Sequence, residues 1–450
     1  MLMTHTGIEL PQGFLNAMNT ASGFFPRLVV KALITVFASV AIGSTPDAIS
    51  QTVAVRLGQL VTGRGAVIQD AVVIIEKERI TAVGSGAAAV PADARLIDLR
   101  PLTGVPGMID AHTHMTFYWD KASGSKPWTQ LGTLNSAVTV FLAQENARKT
   151  LESGVTTVRD LGSWDGNDIA MRDLIERRAM VGPRMFVAGC GLSITSEPFR
   201  PGATKPQPCR ADGVAEVERA ARQQLADGAD WIKMYGSTGS DQDVTGFETF
   251  SYEEMKAATE VAHRAGKRIA IHSYGPEGAR DAVKAGADSV EHAIDIDDAT
   301  FTEMVKRGTV YVPTVDHNRY YIDHNEEFGY DQAVVGRLNS YILKNVETLR
   351  RAVKFHVRIA MGSDAVFTGF GENTGDLSWF VQAGMTPAQA LDSATNVGAE
   401  LLGKSKELGF VGPGAFADLV AIDGDPLKDI AAVLKVKWVM KGGTVVVDKR

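Results

Sequence analysis

RIAIHSYGPEGARDAVKAGADSVEHA, residues 268–293, holds one complete unit of the fold. RIAIHS (268–273) is a short apolar run that ends near His272, and DSVEHA (288–293) is another that ends near His292. Between them PEGARDAVKAG (276–286) carries apolar residues at helical period and stops at a glycine. Continuous apolar strands separated by a helix imply parallel pairing, with both faces of the sheet covered.

Working outward, the unit recurs about eight times between residues 103 and 403. The other strands are expected at VPGMIDAH (105–112), VTTVRDLG (155–162), MFVAGCG (185–191), DWIKMYG (230–236), TVYVPTV (309–315) and RIAMGSD (358–364), with a further helix at SYEEMKAATEVAHRAG (251–266). Such units over about 300 residues suit an α/β fold closed as a (β/α)8 TIM barrel, which needs roughly 250, better than an open doubly wound sheet. Outside them the pattern changes. From Val53 to Leu99, and again in FADLVAIDGD (416–425) and VKWVMKGGTVVVD (436–448), short β-branched runs alternate with glycine turns, the mark of antiparallel strands. Neither flank is large enough to stand alone. A small composite β-sandwich domain is therefore expected from residues 51–104 and 404–450, with the barrel, 105–403, inserted between them.

Composition narrows the function. With 450 residues, 45% hydrophobic and 22% charged, the chain has globular composition, and 46 Lys+Arg against 53 Asp+Glu leave it at −7. That balance opposes a broad electrostatic footprint on nucleic acid or anionic membrane and favours a small-molecule substrate. Its 2 cysteines lack the paired rhythm of a structural zinc site. At the start of the chain, an uncharged run from Ala32 to Gly43 follows Arg27 and Lys31 and precedes small residues at Ala48 and Ser50. This is the layout of a cleavable secretory leader within residues 1–50, shorter still if translation starts at Met18. The run falls short of the ~20 apolar residues that span a bilayer, so the expectation is an exported, periplasmic or secreted protein without stable membrane insertion. In an oxidising compartment Cys190 and Cys209, which bracket the loop after the third strand, can form a disulfide.

Active sites of parallel barrels lie at the C-terminal ends of the strands. His112 and His114 close the first strand as His-Thr-His and, two residues apart, share a face that can grip one cation; taken singly, a satisfied polar strand end explains them as well. Lys233 sits inside the apolar strand DWIKMYG, where a free ammonium is costly. Either its pKa falls and the neutral amine captures carbon dioxide as a bridging carbamate, or it pairs with a carboxylate of the barrel. His272 and His292, from adjacent strands, suit a second metal, and Asp364, at the end of the eighth, can ligate, accept a proton, or both. Accident is a poor account of four histidines, one lysine and one aspartate all at strand ends.

With these residues in hand the chain resembles the amidohydrolase superfamily, in its imidazolonepropionase-like and Xaa-Pro dipeptidase-like branch. The likeness rests on PGMIDAHTH, Lys233, IHSYG, VEHAID, MGSDA and the closing GPGAFADLVAIDGDP, and it covers the chain after the leader. It implies a barrel with a composite β-domain and a binuclear centre of divalent metal ions, zinc in type. In that pattern His112 and His114 bind one metal, His272 and His292 the other, N6-carboxylysine at Lys233 bridges them, and Asp364 is both ligand and acid/base. Barrels of this family commonly associate, so a homo-oligomer is implied too. Cytosolic imidazolonepropionases lack a leader and a bridging lysine, which disfavours that activity here.

The reaction expected is hydrolysis of an amide C–N bond in a dipeptide, N-acyl amino acid or aryl amide, with metal-activated water as nucleophile and Asp364 returning the proton to the leaving nitrogen. A lactonase or phosphotriesterase on the same barrel, or a non-catalytic interaction protein, are the alternatives. Tyr235, Tyr274 and His317 stand just past strand ends and can donate to a substrate carbonyl or carboxylate. Phe117, Tyr118, Trp119, Trp128, Tyr320, Tyr321 and Tyr330 either wall an apolar substrate or simply pack the loops. His263 and His324 read as structural, and GSTGS (236–240) lacks the ending of a phosphate-binding loop.

Overall fold

Alternation in VAVRLGQLV becomes β1 (Val53–Val61), which pairs antiparallel with β2 (Val67–Glu76), and β2 with β3 (Arg79–Ser85). The computed structural model describes residues 52–450 apart from 132, 196–208 and 241–242. The expected leader at 1–50 lies outside the described residues. β4 (Arg95–Asp98) and β5 (Thr103–Pro106) both run parallel to β1, and β13 (Leu419–Ile422) joins the other edge of β5, followed by β14 (Val436–Lys441) and β15 (Thr444–Asp448). The two flanks of the sequence thus meet in one sheet, in the order β15-β14-β13-β5-β1-β2-β3.

The composite β domain expected from the two flanks is built on one continuous ladder. β5 is the cause: it bonds β1 on one side and β13 on the other, so the ladder is never interrupted. Its far edge curls back, where Ile80 N donates to Ala415 O at 3.0 Å and Ala417 N to Glu78 O at 2.8 Å. One face buries Leu57, Val73, Leu419, Met440 and the whole of Trp438. Asp418 ties the sheet to its neighbour by accepting from Arg184 Nη1 at 2.6 Å.

The central units form two parallel sheets. β6 (Met108–Thr113), β7 (Val155–Asp160) and β8 (Arg184–Val187) make the first, and β9 (Trp231–Tyr235), β10 (Arg268–Ser273), β11 (Ser289–His292) and β12 (Val310–Val312) the second. Helices follow most of the strands. The helix Pro276–Ala285 starts on its proline and ends where Gly286 takes φ 95°, a left-handed conformation that a side chain would resist. The helix Tyr252–Arg264 starts at a capping box made by Ser251 and Glu254. No helix among the described residues is long and apolar enough to cross a membrane.

RIAMGSD does not form the regular eighth strand expected of it. Only Ile359 bridges β12, through Tyr311, and only Ala365 bridges β6, through Thr113. The buried Asp110 carboxylate takes Ser363 N at 2.9 Å and Ser363 Oγ at 2.5 Å, and Asp364 turns to φ 51°, so the backbone leaves the extended path there. The segment still bonds on both sides: Tyr311 N donates to Arg358 O at 2.8 Å, Ala111 N to Met361 O at 2.9 Å and Asp364 N to His112 O at 2.7 Å. Between the two sheets, Leu192 N donates to Lys233 O and Tyr235 N to Leu192 O, each at 2.9 Å.

Cys190 and Cys209 are joined, with Cα atoms 6.1 Å apart and a sequence separation of 19. Thiol titration of the unfolded, unreduced protein is expected to find no free thiol. Reduction should lower unfolding free energy by about 3 kcal/mol on the chain-entropy model for a loop of this size, measured by denaturant titration with and without reductant.

Candidate metal centre

Two-residue spacing at the end of β6 sends His112 and His114, the residue just past the strand, toward one carboxylate. His112 Nε2 lies 3.5 Å and His114 Nε2 3.2 Å from Asp364 Oδ1. On the other oxygen, His317 Nε2 lies 3.1 Å and His292 Nδ1 4.0 Å from Asp364 Oδ2. His112 and His114 are held from behind, and His292 is held on the same nitrogen that faces Asp364. Glu291 Oε2 sits 2.8 Å from His112 Nδ1, the Gly162 carbonyl 3.0 Å from His114 Nδ1, and Thr314 Oγ1 2.7 Å from His292 Nδ1. A carbonyl only accepts, so His114 Nδ1 carries the hydrogen of that bond. His272, at the end of β10, packs edge-on to His292 with ring centroids 4.5 Å apart.

Burial sets the charges. Desolvation, reinforced by Lys233, holds the His112 imidazole well below its usual value, and desolvation does the same to His292. Both are therefore neutral, the form in which imidazole ligates. Burial alone would raise Asp364, but His317, His112 and His114 outweigh it and keep the carboxyl well below the ordinary carboxylate range. Lys233 is 1% exposed, and burial pulls its amine down to about 8 against the opposing pull of Glu291 and Asp364. It makes no ion pair or hydrogen bond with a described residue; the Tyr235 ring centroid lies 5.2 Å from Nζ. The alternative of a lysine paired with a barrel carboxylate is thus not what the structure contains. Glu291, the candidate partner, is taken by Arg159 at 2.9 Å and His112 at 2.8 Å.

These residues fit a divalent cation. His112, His292 and Asp364 each present a donor atom within 4.8 Å of the others, all three are buried, and His112 Nε2 has no hydrogen-bond partner. This trio cuts across the two pairs that the family likeness implies, since it takes one histidine from each. The carboxylate is the reason: Asp364 reaches His112 and His114 with one oxygen and His317 and His292 with the other.

The three expected substrate contacts fall in different places. His317 belongs to the centre itself, on Asp364. Tyr274 is 2% exposed and packed among His272, His292 and Tyr341, at 5.2, 5.1 and 4.7 Å between centroids, where it positions rings. Tyr235 stands at the margin, 5.4 Å from the His272 ring. Of the aromatic loop residues, Phe117, Trp119, Trp128, Tyr320, Tyr321 and Tyr330 are buried in one cluster with Phe328 and Phe367, so packing describes them better than an open wall. The cluster reaches the centre: Phe117 stacks on His114 and Tyr321 stands edge-on to His317, each at 4.6 Å. His263 bonds Asp288 at 2.9 Å on the surface and His324 sits 3.2 Å from Glu327, both structural as expected.

Sequence reasoning passed over Asp110, Arg159, Glu291 and Thr314. Arg159 carried the signal that exposed Lys233, a cation inside an apolar strand. Asp110 precedes His112 by two and so shares its side of β6; desolvation raises it to about 6, against bonds from Ser363 and Asn373. Thr314 offered no local signal.

The amidohydrolase family model matches residues 103–446. An ochratoxinase of Aspergillus niger is 30% identical, over 89% of this chain and 88% of its own length. A solved Xaa-Pro dipeptidase with bound methionine superposes with TM-score 0.80 at 30% identity, over 88% of this chain and 99% of that one. An imidazolonepropionase of Streptomyces avermitilis is 24% identical over 79% of this chain and 81% of its own. A buried histidine–aspartate cluster at the ends of parallel strands, inside the matched span, completes the assignment: this chain belongs to the amidohydrolase family and is a hydrolytic enzyme.

Proposed function

We propose that the chain is a binuclear metal-dependent amidase that cleaves the C–N bond of a dipeptide, N-acyl amino acid or aryl amide. In this reading the two parallel sheets and the segment Arg358–Ala365 are one closed (β/α)8 barrel, inserted at 105–403 into the composite sheet. Hydrogen bonds from that segment to both β6 and β12 support closure. The observation that carries the proposal is the convergence of His112, His114, His292 and His317 on the two oxygens of Asp364, beside a buried lysine that makes no ion pair with a described residue.

When bound, divalent cations, zinc by the chemistry of the donors, acidify water and polarise a carbonyl. His112 and His114 would hold one, His272 and His292 the other. Lys233 contributes an anion: its neutral Nζ adds to carbon dioxide, an N–C bond forms, one carbonyl pair moves to oxygen and a proton leaves. Asp364 divides its work between its oxygens. Oδ1, facing His112 and His114, ligates; Oδ2, 3.1 Å from His317 Nε2, takes the proton of the attacking water and passes it to the leaving nitrogen. An amide needs that last transfer, because an unprotonated amine anion is a poor leaving group. His317 and Tyr235 orient the substrate carbonyl or carboxylate. The disulfide between Cys190 and Cys209 supports export to an oxidising compartment.

Metal analysis and a substrate panel test this. Purified protein is expected to carry divalent metal, to lose turnover of Xaa-Pro dipeptides or N-acyl aromatic amino acids on chelation, and to regain it with zinc. Undiminished turnover after metal is stripped, or turnover of lactones or phosphotriesters alone, overturns the proposal.

A further inference from the structure

Glu291 immediately precedes His292 on β11, yet its carboxylate serves a different histidine. Oε2 lies 2.8 Å from His112 Nδ1, while Oε1 accepts from Arg159 Nη2 at 2.9 Å and from Ser289 Oγ at 2.5 Å. Arg159 is fixed in turn: Nη1 donates to Ser289 Oγ at 2.8 Å, Nε to Ala111 O at 2.5 Å, and its guanidinium carbon lies 4.6 Å from the centre of the Trp231 ring. Arg159, Glu291 and His112 are all fully buried. The network draws on β6, β7, β9 and β11, so four strands converge to orient one imidazole.

We infer that Glu291, anchored by Arg159, is a positioning residue that fixes His112 in the tautomer with hydrogen on Nδ1 and the lone pair of Nε2 aimed into the centre. A carboxylate can only accept, so an imidazole nitrogen bonded to it must bring the hydrogen. The opposite nitrogen is then bare, which agrees with the absence of any hydrogen bond at His112 Nε2. A carboxylate behind a ligating histidine both selects the tautomer and raises the basicity of the ring. Arg159 supplies the opposing charge that lets this carboxylate remain buried. A purely structural ion pair between β7 and β11 would not require the imidazole, whereas here the second oxygen is spent on it. The inference rests on the reading of His112 as a metal ligand.

The test uses zinc as probe. Zinc affinity of purified protein, measured by competition with a chromophoric chelator, is expected to fall about 10- to 100-fold in Glu291→Gln, with kcat falling and KM nearly unchanged. Ser289→Ala, which leaves Oε2 on His112, should lose far less. Neutron diffraction of the wild-type crystal, or ¹⁵N-histidine NMR, is expected to find hydrogen on His112 Nδ1. Hydrogen on Nε2 instead, or a folded Glu291→Gln protein with wild-type zinc affinity, overturns the inference. Should Glu291→Gln fail to fold, the proton position in the wild type decides alone. A wild type that binds no divalent cation refutes the metal reading itself, a result separable from these.

Discussion

Asp364→Asn is expected to lower kcat/KM by about three to four orders of magnitude while leaving the fold intact. Positioned proton transfer contributes roughly 10²- to 10⁴-fold, and the substitution also removes an anionic ligand. The local geometry explains why so small a change is felt. Asp364 Oδ1 and Oδ2 lie between 3.1 and 4.0 Å from nitrogens of four different histidines. An amide in that place turns hydrogens toward at least one lone pair and can neither balance a cation nor accept the water proton. Because the imidazoles hold the native carboxyl well below its usual range, it is ionised and ready to act as base at neutral pH. The variant should melt cooperatively, since the bonds that shape its backbone come from Asp110 and Ser363 rather than from its own side chain. Steady-state kinetics of a folded Asp364→Asn protein with unaltered turnover would point to a scaffold and against catalysis at this residue.

Lys233→Ala is expected to be as damaging, and to differ in being reversible. Removal of the proposed bridging anion should cost at least about a hundredfold in activity, the upper end of what loss of mere support around a metal costs, together with metal content. Substitution opens a buried space where the side chain stood, 1% exposed in the native protein. A small carboxylate such as acetate or propionate can enter it and supply the oxygen ligand, so partial recovery that saturates with added acid is expected. Lys233→Arg should not recover, because guanidinium stays charged and does not add carbon dioxide. Intact mass measured under mild alkaline conditions should show the wild type heavier by one carbon dioxide, a difference lost in acid. An unmodified lysine in fully active enzyme would exclude the carbamate, and rescue by formamide as effective as by acetate would exclude a ligand role for the added acid.

Much of this is legible in the chain itself. Alternating strand and helix, with His112, His272 and His292 at strand ends, needs only local periodicity and the rule that parallel strands present function at one end. The matching flanks around residues 53–99 and 416–448 likewise announced a shared sheet, because strands too few to bury a core must find partners. Harder to read was RIAMGSD, whose apolar opening suggests a strand; the carboxylate of Asp110, 253 positions away from Ser363, bends it. No window of sequence contains that bond.

Residue chemistry at strand ends, and the family to which it belongs, came from the sequence by itself, since periodicity decides which way each side chain of an element points. Tertiary structure alone decided who meets whom: that Glu291 turns to His112 rather than to Lys233, that His317 joins Asp364 instead of waiting at the rim, and that β5 links the two flanks into one ladder. Charge pairing and burial act through space, over separations along the chain that local pattern does not record, and in a low-dielectric interior those encounters set protonation and hence chemistry.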